Sequence, residues 1–98
     1  MGLRIGDVEL QSRFFQGTAG YPSPQVLSEA IAASGTEVVT VSLKRQLAAA
    51  GTPNDFYGII RKAGARMLPN TAGCKTAKEA VTLSRMAREL FDTHWIKL

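Results

Sequence analysis

The sequence predicts an α/β chain with parallel strands, and three observations carry that prediction. Short runs rich in β-branched residues alternate with longer segments whose apolar residues recur every three to four positions. The strand starts at Phe14, Val38, Arg66 and His94 stand about 24 to 28 residues apart, the length of one strand-helix unit. Polar or glycine-bearing residues, Gly17-Thr18, Lys44-Arg45, Asn70-Thr71 and Lys97, fall at the carboxyl end of each predicted strand.

The elements follow in order. Leu3-Arg4-Ile5 and Val8-Glu9-Leu10 around Gly6-Asp7 predict an N-terminal hairpin. The first strand of the repeat is Phe14-Phe15-Gln16, running into Gly17-Thr18-Ala19-Gly20. Ser23 is a helix cap, and Pro24 takes the first helical position, where a missing N–H does no harm. Leu27, Ala30, Ile31 and Ser34 form that helix's small-to-apolar face, and Gly35 stops it. The second strand is Val38-Val39-Thr40-Val41-Ser42-Leu43. A loop through Gly51-Thr52-Pro53 leads to a helix opened by Asn54, carrying Phe56, Ile59, Ile60 and Ala63 and closed by Gly64. The third strand, Arg66-Met67-Leu68, ends in Pro69-Asn70-Thr71-Ala72-Gly73. Thr76 and Glu79 have capping-box spacing at the head of a helix lined by Ala77, Ala80, Val81, Ser84, Ala87 and Phe91, with Leu83, Met86 and Leu90 widening the stripe. A fourth strand begins near His94 and holds Lys97.

Alternating strands and helices fit an open doubly wound sheet or a closed barrel. In the second strand Val39, Val41 and Leu43 point one way, while Val38, Thr40, Ser42 and Lys44 point the other; in the fourth, Ile96 and Leu98 oppose Trp95 and Lys97. One apolar and one partly polar face suits a barrel whose lumen becomes polar toward an active site, whereas central strands of a doubly wound sheet are apolar on both faces.

Composition bounds the function. Ninety-eight residues, 45% hydrophobic and 20% charged, make one domain and argue against disorder. No apolar run approaches the ~20 residues that span a bilayer, and the N-terminus resembles neither a secretory signal nor a myristoylation site. The single Cys74 fits a reducing compartment, most simply the cytoplasm, and its isolation from His or other Cys predicts no metal site. The net charge of +4 is scattered, without a basic run interleaved with aromatics, so nucleic acid is not the expected partner. A mild positive field suits small phosphorylated substrates better.

Lys97 stands in the apolar run Trp95-Ile96-Lys97-Leu98, with no acidic partner beside it in sequence and no turn or cap after it. The chain therefore reads as the first part of something longer, a partial domain over residues 1–98. A lysine there is either a solvated edge residue or a functional amine. Asn70 and Thr71 suit a strand-to-helix turn or substrate contact equally. Lys44-Arg45 reads as a solvated loop or a phosphate or partner contact, and His94 as a strand-start residue. The loop from Gly17 to Gly20 lacks G-x-G-x-x-G spacing, so it signals no dinucleotide cofactor.

Four blocks resemble one family in order and spacing. Gln16-Gly17-Thr18-Ala19-Gly20-Tyr21-Pro22-Ser23 is similar to its G-T-G-x-Y-P-S segment. Ala33-Ser34-Gly35 followed by Val39-Thr40-Val41-Ser42-Leu43-Lys44-Arg45 resembles its second strand. Leu68-Pro69-Asn70-Thr71-Ala72-Gly73-Cys74 with Glu79-Ala80 matches its most recognisable stretch, and Trp95-Ile96-Lys97-Leu98 its catalytic strand. The family is thiazole synthase of thiamine biosynthesis. The resemblance implies the first half of a (β/α)8 barrel in a cytoplasmic homo-oligomer, a tetramer in the family, that uses no cofactor. It implies condensation of 1-deoxy-D-xylulose 5-phosphate with dehydroglycine and with sulfur from the thiocarboxylate of a sulfur-carrier protein. The partners would be that carrier and a dehydroglycine-producing enzyme. Lys97 takes the position of the lysine that forms an imine with the sugar ketone, and Asn70 and Thr71 are the candidate substrate contacts. Ala19 and Gly20 stand where members usually carry Gly then Lys, and the family's acidic residues and phosphate loops lie past the position of Leu98.

The chemistry sets its own demand. An amine attacks a ketone only when neutral, and an ordinary lysine, with a pKa of ~10.4, is nearly all protonated at pH 7. Burial and neighbouring positive charge bring imine-forming amines down to about 7–8. Trp95, on the strand face of Lys97, is placed to wall such a site, and Lys44 and Arg45 to add positive charge. The 98 residues alone would then be inactive. Two other readings are a non-catalytic, self-associating fragment and a small phosphate-binding α/β module built on the residue 17–20 loop at a helix N-terminus.

Overall fold

A computed structural model describes residues 2–44 and 53–98, with the side chains of residues 53–56 excepted. Arg45, the Gly51-Thr52 turn and the side chains of Asn54 and Phe56, all singled out above, lie outside the described residues. Strands β1 (Leu3–Ile5) and β2 (Val8–Leu10) pair antiparallel, Leu3 opposite Leu10 and Ile5 opposite Val8. Strands β3 (Phe15–Gly17), β4 (Val38–Ser42) and β5 (Arg66–Asn70) form a parallel sheet in that spatial order. Helices α1 (Pro24–Ser34), α2 (Pro53–Lys62) and α3 (Ala77–Phe91) alternate with them.

Local chemistry accounts for the helix ends. Ser23 holds an extended backbone and its hydroxyl accepts from the Val26 N–H, while Pro24 opens α1. Gly35 ends α1 in the left-handed region, φ 67°, with its N–H on the Ile31 carbonyl. At α3 the Thr76 hydroxyl accepts from the Glu79 N–H. Glu79 does not complete the box on the Thr76 N–H: its carboxylate accepts one residue earlier, from the Lys75 N–H at 2.9 Å, and from Lys44.

All three helices pack on one face of the sheet. Leu27 and Ile31 of α1, Tyr57 and Ile60 of α2, and Ala87 and Phe91 of α3 share one buried cluster with Val39, Val41, Leu43 and Met67. This is the apolar side of the alternation in β4. A doubly wound sheet would set helices on both faces and reverse its strand order; here the order is sequential and the slab only 19 Å thick. Gln16 also turns to the helix side, where its amide meets the Tyr21 hydroxyl at 2.9 Å and the Ser34 hydroxyl at 2.7 Å. Val38, on the opposite face, and Leu10 of β2 are buried outside that cluster. Among the described residues no helix is long and apolar enough to cross a membrane.

Four boundaries differ from the sequence expectation. β3 begins at Phe15, not Phe14, because pairing of Phe15 with Val38 sets its register and leaves Phe14 half-exposed. β4 ends at Ser42, and Leu43 and Lys44 turn into helical geometry. β5 runs on through Pro69 and Asn70, which pair with Val41 and Ser42. In place of a fourth strand stands one parallel bridge, Lys97 to Asn70. The Lys97 N–H donates to the Pro69 carbonyl at 2.9 Å, and the Lys97 carbonyl accepts from the Thr71 N–H at 3.1 Å. Pro69 has no N–H to extend that ladder back toward Trp95, which keeps the pairing short.

Candidate active site

Paired residues of parallel strands share a face, so the register assembles the site. Gly17 pairs with Thr40, Thr40 with Leu68, Ser42 with Asn70, and Asn70 with Lys97. These residues occupy the face away from the helices. At the carboxyl ends of the strands Gly17, Thr40, Ser42 and Asn70, with residues 18–21 and Ala72, wall a cleft of about 330 Å³. A Cβ at Gly17 would meet the Thr40 hydroxyl at 3.8 Å, an ordinary van der Waals contact.

The cleft's polar atoms are partly committed. The Thr18 hydroxyl donates to the Thr40 carbonyl at 2.7 Å, joining the loop after β3 to β4. Asn70 Oδ1 accepts from the Ala72 N–H at 3.0 Å, the turn role that asparagine takes at strand ends. The Thr71 carbonyl accepts from the Cys74 N–H at 3.1 Å and rounds off the same turn. Among the described residues no cationic or anionic side chain walls the cleft.

Of the three predicted site residues, Asn70 lines the cleft, while Lys97 and Thr71 stand beside it through backbone bonds. Lys97 is exposed. Trp95 sits two residues earlier, outside any strand, and the Arg66 guanidinium carbon lies 5.9 Å from its ring centroid, a cation–π contact.

Lys44 is not a free charge at the site. Its ammonium lies 2.7 Å from the Gly73 carbonyl oxygen and 2.9 Å from Glu79 Oε1, bracing the loop between β5 and α3. The hydrogen bond from Lys44, then that from the Lys75 N–H, holds the Glu79 carboxyl below the usual carboxylate range. Thr18 stands at the carboxyl end of its strand, as the sequence predicts for Gly17-Thr18, whereas nothing in the sequence singles out Tyr21 as a cleft residue. The alternation of Thr40 and Ser42 was the usable signal for the polar face.

A parallel sheet backed by helices, with polar side chains gathered at the carboxyl ends of its strands, is the framework of an α/β enzyme. Comparison with known proteins identifies the family. Residues 4–98 match the family described as thiazole biosynthesis protein ThiG, and the chain belongs to that family. The thiazole synthase of Coxiella burnetii (strain Dugway 5J108-111) is 55% identical over 94 residues, 96% of this chain and 36% of that protein. That of Gluconobacter oxydans (strain 621H) is 60% identical over 91 residues, 93% of this chain and 35% of the relative. That of Erwinia amylovora is 59% identical over 88 residues, 90% and 34%. The chain thus spans about a third of the length of the curated relatives it matches.

Proposed function

We propose that a full-length protein carrying these residues is the thiazole synthase of thiamine biosynthesis, acting through an imine on Lys97. The observation that carries this is the bridge setting Lys97 beside Asn70 on the cleft's face of the sheet. Membership of the ThiG family supports it. Neutral Lys97 Nζ attacks the ketone carbon of 1-deoxy-D-xylulose 5-phosphate; water leaves with the ketone oxygen, and C=O becomes C=N. Dehydroglycine and the thiocarboxylate sulfur of a carrier protein then complete the ring.

Sequential strand order with all helices on one face supports closure into a (β/α)8 barrel once further units follow. Such a barrel would bury Lys97 and Trp95, giving the amine the enclosure its chemistry demands. We place the enzyme in the cytoplasm as a homo-oligomer, with the sulfur carrier and a dehydroglycine-producing enzyme as partners. The absence of cationic side chains from the cleft, among the described residues, weighs against the phosphate-binding module. The 98 residues alone form no thiazole, because later strands are needed to preorganise the site.

Borohydride treatment of the full-length protein with the sugar phosphate should leave one reduced adduct, mapped to Lys97 by mass spectrometry. An adduct elsewhere, with Lys97→Ala fully active, would overturn the assignment.

A further inference from the structure

The cleft's hydrogen bonds decide what it still offers to a ligand. A hydroxyl has one proton, and that of Thr18 is given to the Thr40 carbonyl. What Thr18 can offer further is therefore lone pairs alone. Asn70 shows the reverse. Its Oδ1 holds the Ala72 N–H, which fixes which end of the amide is oxygen. Among the described residues no bond engages Nδ2, so Asn70 brings unspent N–H donors to the cleft. One wall accepts, another donates, and no charged side chain stands among the described walls.

A phosphate dianion needs donors or positive charge around all its oxygens. A carbon-bound hydroxyl both gives and takes one hydrogen bond, which is what Thr18 and Asn70 together supply. We propose that this cleft is a neutral, hydroxyl-reading subsite in which Asn70 Nδ2 donates to, and Thr18 Oγ1 accepts from, the uncharged hydroxyl groups of the substrate. The phosphate end lies outside it. This deepens, and rests on, the reading of Lys97 as the imine-forming amine: the strand bridge places Asn70 next to Lys97, so the subsite grips carbons adjoining the reacting ketone.

Asn70→Asp separates a ligand role from a turn role. A carboxylate still accepts from the Ala72 N–H, so the turn survives, but the donor is replaced by an acceptor. Thr18→Val removes the acceptor, and Thr18→Ser restores it. In a full-length protein carrying these residues, equilibrium binding of 1-deoxy-D-xylulose 5-phosphate and of inorganic phosphate is measured for each variant, with thermal melts alongside. Borohydride trapping follows on the same samples. We expect Asn70→Asp and Thr18→Val to weaken the sugar phosphate about tenfold, Thr18→Ser to bind as the parent does, and phosphate binding to hold. Asn70→Asp should melt with the parent. Wild-type-like sugar binding in Asn70→Asp and Thr18→Val, with trapping on Lys97 intact, overturns the subsite and leaves the imine reading standing. An equal loss of phosphate binding would put the phosphate in this cleft and overturn its neutral reading. If the parent protein binds no sugar phosphate, both readings fall.

Discussion

Lys44 and Glu79, 35 residues apart, meet at 2.9 Å, and through that contact the segment just after β4 grips the head of α3. The same ammonium reaches the Gly73 carbonyl at 2.7 Å, and Gly73 sits at φ 87°, in the left-handed region open to glycine. A Cβ there would stand 3.4 Å from the lysine side chain. The cleft-side loop after β5 is therefore braced by the segment after β4 as well as by its own turn.

The brace predicts an acid-sensitive increment of stability. The Glu79 carboxyl is held below its ordinary pKa, so the folded state favours its charged form. The increment is present above the ordinary glutamate value of 4.5 and is lost as pH falls through the lower folded-state value. Both side chains are more than a third exposed, at 37% and 40%, so the effect is small and screened by salt. Melting curves of the parent and Glu79→Gln between pH 3 and 7 should converge toward the acid end. Parallel curves across that range would show that the pair contributes nothing to stability.

Thr76 tests the helix start by itself. Its hydroxyl satisfies the Glu79 N–H at 3.0 Å and is exposed, away from the cleft. Thr76→Ala should cost about 0.5–2 kcal/mol in denaturant unfolding and leave turnover per folded molecule of the full-length enzyme nearly unchanged. A large loss of turnover at unchanged stability would bring this helix start into the active site.

Where sequence reading succeeded, the deciding chemistry is local. Ser23, Pro24 and Gly35 mark the ends of α1 because capping and left-handed geometry involve only nearby backbone groups. The polar face of β4 was legible from the alternation of Thr40 and Ser42. The start of β3 was not, since Phe14 and Phe15 are equally good strand formers and only pairing with Val38 chooses between them. Pro69 and Asn70 have turn chemistry, yet pairing with Val41 and Ser42 keeps them in β5. Capping-box spacing put Glu79 on the Thr76 N–H; Lys44, brought in from 35 residues away, shares a carboxylate that turns to the Lys75 N–H instead. The Thr18 bond to the Thr40 carbonyl spans 22 residues and has no sequence signature.

Tyr57 and Phe91 test the core. Their rings meet edge to face, centroids 4.7 Å apart at 72°, joining α2 to α3 under the sheet. Phe91→Ala should cost about 3–5 kcal/mol by urea unfolding, and Phe91→Leu distinctly less. Burial also pushes the Tyr57 phenol above its ordinary 10.0, so its folded state favours the neutral ring. The burial penalty falls only on the ionised phenolate, so it is not felt while the phenol is neutral, and stability declines as pH rises above 10 toward the higher folded-state value. Equal costs for the two Phe91 variants would show that no ring-specific contact operates.

The 98 residues by themselves should self-associate. β3 has a strand partner on one side only, and beyond Lys97 no described strand continues the sheet, so both margins offer unpaired N–H and C=O groups. Apolar surface is exposed as well. Val81 and Leu90 of α3 are each 50% exposed, Phe14 is 53% and Leu98 94%. Val81, Trp95, Ile96 and Leu98 wall one open groove of about 300 Å³ between α3 and the C-terminal segment. In a barrel the next strand and helix would cover that margin; in isolation a second copy is the nearest source of matching edge and apolar surface. Sedimentation velocity across a hundredfold dilution, with hydrogen exchange on the same samples, should show mass falling on dilution. Protection of the Lys97 and Thr71 amides should fall with it. A concentration-independent monomer with strongly protected Lys97 and Thr71 amides would show that the sheet needs no further strands, and would remove the structural argument for barrel closure.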